Sequence, residues 1–360
     1  RKFFLKRSFH SLFAKWQNSN LRGEGKTVSA GANIATTEQT IDFSYGQSWL
    51  FNQPIQFSES LSFSHYNNSA LALNFLPGGS LIADEYYMNF ESWGASLSTS
   101  FGRRWLPNFA ILTLTGGMSN TLNYNVYDQG LYVPIDSGVS KNANRAGIKN
   151  AIYASISLDN RDISFDPSKG WFFNERLAWY GLIPGLEQEF YLRSDTKLEG
   201  YLTLFDIPVA DGYWNFKGVL AGYSGLTTIF QIPGTMFGDS SKVYIDGMFN
   251  GRGWTDIYDT PEGRGKAMWS NRIELRIPIF QGVIGLDGFF DAVAVKQDVA
   301  ELFNNLSIED FYFSCGPGLR FLVPQFPLHL LFANTFRIKD GNVEWDGTWK
   351  FVLSFNMTNK

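Results

Sequence analysis

Apolar and polar residues alternate with a period of two through most of this 360-residue chain, and that pattern leaves few folds open. Near the C-terminus Trp345, Trp349, Phe351, Leu353, Phe355 and Met357 share one parity with Gly347. Asp346, Thr348, Lys350, Ser354 and Asn356 share the other, interrupted only by Val352. Ile273, Leu275, Ile277 and Ile279 stand opposite Arg272, Glu274 and Arg276, and Trp171, Phe173, Leu177 and Trp179 stand opposite Asn174 and Arg176. Each run reads as a strand with one apolar and one polar face. Extended segments are predicted near 3–16, 26–36, 39–49, 54–66, 86–102, 109–123, 149–158, 170–181, 188–206, 213–228, 267–281, 285–296, 312–323, 328–337 and 344–356.

A soluble β-sandwich also alternates. Three features favour a membrane wall instead: strands near ten residues, no helix between them, and aromatic weight at their ends, from 33 Phe, 16 Tyr and 11 Trp. The expectation is an all-β chain, a transmembrane antiparallel β-barrel forming one domain over residues 1–360. Single-chain bacterial barrels have even strand numbers. Sixteen strands are therefore expected, one of them upstream or hidden within residues 1–18. That segment is ambiguous. Leu5, Phe9, Leu12, Phe13 and Trp16 share a helical face that would suit an interfacial helix, but the turn-like Asn18–Gly23 after it favours a strand. Tight connections are predicted at 50–54, 104–108, 206–212 and 323–327, and long polar ones at 67–85, 124–148 and 229–266.

A net charge of −4 argues against nucleic acid as a partner. Cys315 is the single cysteine, so no intrachain disulfide can form. No apolar run is long enough for a spanning helix, and Arg1–Ala14 lacks the apolar core of an export signal. His10, His65 and His329 are scattered, which gives no metal-ligand spacing. No nucleophile elbow or phosphate loop is present, so neither an enzyme nor a cofactor is expected. Asp159 and Asp162 around Arg161 read as turn caps, and Arg103-Arg104 as an interfacial anchor.

Six stretches, in order, resemble the barrel of BamA-type proteins of the Omp85 family. Asn20–Gly25 is similar to the family's NLxGxG turn, and Phe43–Phe51 to its SFTEPWLF strand end, with Tyr45 to Ser48 departing from it. Leu158–Asp162 followed by Phe165–Gly170 resembles DxRDxxxFPTxG. Asp246–Trp254 resembles the loop-six signature, with Gly251 where Val is usual and Trp254 where Phe or Tyr is usual. Phe289–Val293 resembles FxDAG, and Ser314–Arg320 resembles SxGxGLR. The chain ends on Asn359-Lys360 rather than on an aromatic, and it contains no POTRA-like repeats.

The resemblance implies an outer-membrane assembly factor that inserts client β-barrels through a lateral seam between first and last strands. It further implies a loop six, Gly251, Arg252, Gly253 and Trp254, folded into the lumen. Residue parity turns Glu274 and Asp291 inward, where the family places acidic partners for the loop arginine. The plainer alternative is solvated lumen charges. Ser29, Gly347, Phe351 and Phe355 are expected along the seam. Outer-membrane lipids, unfolded clients and, through the family's periplasmic domains, accessory lipoproteins are the expected partners. A two-partner-secretion (TpsB-like) or TamA-like translocation barrel and a diffusion porin remain alternatives. A lumen helix over residues 3–16 would favour secretion.

Overall fold

The computed structural model describes residues 12–75, 81–183, 189–210, 214–257, 260–280, 283–323 and 326–354. Its strands are β1 (Leu12–Leu21), β2 (Lys26–Ile34), β3 (Glu38–Gln47), β4 (Ile55–Phe75), β5 (Leu81–Trp105), β6 (Ile111–Val126) and β7 (Tyr132–Pro134). There follow β8 (Ala146–Asp159), β9 (Gly170–Tyr180), β10 (Tyr191–Ala210), β11 (Trp214–Gln231), β12 (Val243–Tyr244) and β13 (Arg264–Gly265). The last are β14 (Ala267–Phe280), β15 (Ile284–Lys296), β16 (Phe311–Val323), β17 (Phe326–Lys339) and β18 (Asn342–Ser354). Two short helices, Ser137–Ser140 and Val299–Asn304, lie in connections.

Among the described residues one antiparallel sheet contains sixteen strands, each wall strand pairing with its neighbour in sequence. The sixteenth is not a wall strand. It is the three-residue β7, which pairs with Ala72–Asn74 of β4, so the wall itself runs from β1 to β18 through fifteen strands. An odd wall puts Leu12 and Ser354 at opposite rims. Among the described residues no ladder joins β1 to β18, so the wall is open there. Residues 12–16 are extended, which corrects the helical alternative for that part; residues 1–11 lie outside the described residues.

Apolar side chains face out and charges face in, the reverse of a soluble core. Ile273 is 54% exposed and Phe351 58%, while Glu274, Arg276, Asp287 and Asp291 are buried. Such a distribution suits a wall with lipid outside. A buried cluster of Tyr191, Ile229, Val243, Ile245, Met268, Val293, Val295 and Tyr312 seats the base of loop six against the inner face.

The region 67–85, expected as a polar loop, is largely strand. β4 has 21 residues and β5 has 25, and their ladder continues from Asn67↔Glu91 to Phe75↔Leu81. Asn67, Asn68 and Ser69 imitate loop composition, but ladder pairing satisfies their backbone without an apolar face. Some ten tilted residues cross a membrane, so this hairpin rises well past the rim that also carries loop six. The 206–212 turn also shifts, because β10 continues through Pro208 to Ala210 with a bulge. The 50–54 turn holds: Leu50 and Gln53 exchange backbone hydrogen bonds around Phe51 and Asn52, both left-handed at φ 51° and 58°.

Candidate functional site

Loop six connects β11 to β14 and returns its tip to the inner wall. Asp246 starts the tip: its Oδ1 accepts the backbone N–H groups of Met248, Phe249 and Asn250 at 2.8, 2.6 and 2.8 Å. The Gly253 N–H donates to the Gly247 carbonyl at 2.8 Å, closing the turn. Gly251 and Gly253 hold φ values of +67° and +91°, which only glycine adopts cheaply. A Cβ on Gly253 would stand 2.7 Å from Ala333 Cβ, so the tip lies flush on β17.

That approach delivers Arg252 into a carboxylate pair. Its Nε donates to Asp291 Oδ2 at 2.8 Å and its Nη2 to Asp291 Oδ1 at 2.6 Å, a two-pronged contact. Nη1 donates to Glu274 Oε1 at 2.6 Å, and the backbone N–H of Arg252 reaches Asp291 at 3.3 Å. The guanidinium carbon lies 4.1 Å from the centre of the Phe289 ring. Arg252 is 2% exposed. Burial works against its charge, but Asp291 and then Glu274 outweigh it and hold the guanidinium's pKa above its ordinary value. Such a site keeps a planar cation in one orientation; no proton transfer is required of it.

The site extends beyond the three expected residues. Arg276 donates through Nε and Nη2 to the second oxygen of Glu274, at 2.9 and 2.8 Å. Arg272 lies 3.7 Å from Asp291 and donates to the Phe249 carbonyl in the loop. Trp254 donates its indole N–H to the Phe313 carbonyl at 3.0 Å and meets the Tyr312 ring edge-on. Asp256 pairs with Lys350 of β18 at 2.5 Å, and Lys350 also holds Asp346 at 3.0 Å. Loop six thus touches every strand from β14 to β18.

The base of the loop has its own anchor. Glu189, in the β9–β10 connection, accepts Gly238 N–H at 2.7 Å and Ser241 Oγ at 2.9 Å, and pairs with Lys141 and Lys149 at 3.0 and 3.2 Å. Burial raises the Glu189 carboxyl's pKa, but Lys149 and Lys141 overcome that and leave it below the ordinary value. Parity already puts Arg276 on the Glu274 face and Lys350 on the Asp346 face. No spacing in the sequence singles out Glu189.

The Omp85 superfamily domain matches residues 20–357. The chain belongs to the Omp85 superfamily. A Treponema pallidum (strain Nichols) protein, provisionally named an outer membrane protein assembly factor, is 32% identical over 389 residues. That match covers 97% of this chain and 46% of the relative, so this Omp85 chain spans about half the relative's length. BamA from Haemophilus ducreyi lacking POTRA domains 1–3 has a similar structure, with a TM-score of 0.62, 17% identity, and coverage of 96% of this chain and 67% of that one. CdiB from Acinetobacter baumannii is similar at a TM-score of 0.52 and 9% identity, covering 96% and 56%. Both structural likenesses show the fold alone.

The seam residues are placed unevenly in this Omp85 wall. Ser29 is on β2, paired with Gln17 of β1 on one side and Ser44 of β3 on the other, so it is not on the edge. The reason is β1 itself, which runs to Leu21 through the region read as a turn. Gly347 and Phe351 do lie on the edge strand β18. Gly347, at φ +73°, occupies a bulge where Asp346–Thr348 oppose Thr335 alone. Phe351 faces outward against Phe332, 5.5 Å between ring centres. Phe355 lies outside the described residues.

Proposed function

We propose that the chain is the barrel of an outer-membrane protein assembly factor that templates client β-barrels at a lateral seam. The observation that carries this reading is Arg252, buried between Glu274 and Asp291. Burying a guanidinium between two carboxylates carries a desolvation cost that only close, well-formed contacts offset, so loop six is held on the inner wall in one position. Lys350 joins the same loop to β18 beside the Gly347 bulge, so the loop position and the edge strand are in contact. The backbone groups along β1 and β18 supply the template, because an unpaired strand edge adds an incoming strand by main-chain hydrogen bonds. No bond is made or broken in a client, so the reading needs neither catalyst nor cofactor. The proposed partners are unfolded outer-membrane proteins at the edges, bacterial outer-membrane lipid against the aromatic outer face, and periplasmic lipoproteins through domains of the POTRA kind.

Disulfide locking tests it. Cysteines placed from Ala14 to Asn18 on β1 are paired with cysteines from Thr348 to Val352 on β18, leaving out Lys350, in a Cys315→Ala background. Client folding is then followed with and without reductant. Loss of folding on locking, restored by reduction, supports assembly through the seam. Normal folding by the locked protein would refute the seam route and favour a TpsB-like or TamA-like translocation barrel, an alternative that the CdiB likeness in fold leaves open.

A further inference from the structure

The inner wall carries a second anchored element, facing loop six from the other rim. The β8–β9 connection is three strands away from loop six along the wall, so the two enter from opposite ends. This turn is built on Asp162, whose oxygens accept the N–H groups of Ile163, Ser168 and Lys169 and the Ser168 hydroxyl. Arg161 pins its first residue to the buried Glu199 of β10 at 2.9 Å. Its far side is pinned by Asp166, which accepts Arg320 Nη1 of β16 at 2.9 Å and lies 3.9 Å from Arg276 Nη1 of β14. A cavity of about 470 Å³ between the turn and the wall is lined by Phe165, Arg276, Arg320 and Leu322 among others, and gives the turn room to shift.

Arg276 is therefore shared. One edge of its guanidinium holds Glu274, the carboxylate that receives Arg252, and its remaining nitrogen faces Asp166. A second path runs from Asp166 through Arg320 to Asp287, which pairs with His329 at 2.6 Å and stands directly across the ladder from Arg276. Arg252, Arg272, Arg276 and Arg320 face Glu274, Asp291, Asp287 and Asp166, so the row is balanced in charge. Removing one member leaves its neighbour uncompensated in a desolvated place, and the neighbour reorients.

We propose that Asp166 is a positioning residue for loop six: by holding Arg320 and facing Arg276 it sets the Glu274 carboxylate that receives Arg252, so docking of the β8–β9 turn and docking of loop six favour each other. The coupling is independent of which cargo the barrel serves. Linkage makes it reciprocal, the turn affecting the loop by the same factor as the loop affects the turn.

Two reporter cysteines read the two docking equilibria in folded full-length protein in detergent micelles, in a Cys315→Ala background. Ile245→Cys reports loop six and Pro167→Cys reports the turn, both buried in the docked state, each labelled with a water-soluble maleimide. Asp166→Asn is expected to raise labelling at position 245 about fivefold, and Arg252→Lys to raise labelling at position 167. Ser168→Ala loosens the turn without touching the charge row, so linkage requires it to raise labelling at 245 as well as at 167, by no more than the coupling factor. The proposal is overturned if Asp166→Asn leaves 245 at the parent rate, or if Ser168→Ala exposes 167 and leaves 245 at the parent rate. Should Asp166→Asn fail to fold, the Arg252→Lys arm decides alone: an unchanged rate at 167 refutes the coupling.

Discussion

Replacing Arg252 with alanine removes three charge-assisted hydrogen bonds from two buried carboxylates and leaves both behind. Removing one partner of a buried ion pair costs about 3–5 kcal/mol. Two neighbours reduce that figure here. Arg276 already holds one oxygen of Glu274, and Arg272, 3.7 Å from Asp291, is close enough to swing onto it. The lower end, about 3 kcal/mol, is the better expectation, a shift of roughly a hundredfold in the docked-to-undocked ratio of loop six. Since the wall ladders do not depend on the loop tip, the loss should fall on docking and leave the thermal transition of the wall largely unmoved. Maleimide labelling of Ile245→Cys measures docking, and the temperature at which the barrel unfolds in detergent measures the wall. Arg252→Lys keeps the charge but loses the fork, and should fall between parent and alanine. Parent-like labelling in Arg252→Ala would refute the reasoning. So would equality of lysine with arginine, because then charge alone, and not planar geometry, holds the loop.

Gly253→Ala places a methyl 2.7 Å from Ala333 Cβ at a left-handed φ, and should undock the loop by about 1–2 kcal/mol; Ala333→Gly in the same chain should recover only the steric part in the labelling assay. Phe289→Leu keeps an apolar side chain but removes the ring under Arg252, and should weaken docking by about 1 kcal/mol by the same readout. Gly347→Ala meets open space but a φ of +73°, so a loss of about 1 kcal/mol is expected in the denaturant midpoint of the wall. The Glu189 pKa is depressed in the folded protein, so its contribution is complete above the ordinary carboxylate range and is lost as pH falls from that range through the lowered value. The emission of a fluorophore attached beforehand at Met236→Cys, at the loop base, should change only in that acid window, and Glu189→Gln should give the changed emission at neutral pH.

Parity made the inner carboxylates legible. In β14 and β15 one face must meet lipid, so Ile273 and Leu275 fix Glu274 inward, and Leu286 and Phe290 fix Asp291. The fifteen wall segments were legible for the same reason. The β4–β5 extension was not, because beyond the membrane both faces meet water and alternation no longer selects residue type. Ser29 failed as an edge residue because strand order, not periodicity, decides which strand is outermost, and β1 lies outside β2. Glu189 was hidden because its partners, Lys141, Lys149 and Ser241, come from three separate segments whose meeting depends on loop paths.

The inner charge row also acts as a key for strand alignment. A slip of one residue between β14 and β15 would turn Glu274, Arg276, Asp287 or Asp291 toward lipid and bring Ile273 or Leu286 to the place where Arg252 docks. Charges facing lipid cost several kcal/mol at mid-depth, and the misaligned wall would offer loop six no carboxylate pair. Only a correctly assembled β14–β17 can accept the arginine, so its docking reports that this part of the wall has been built in the right register.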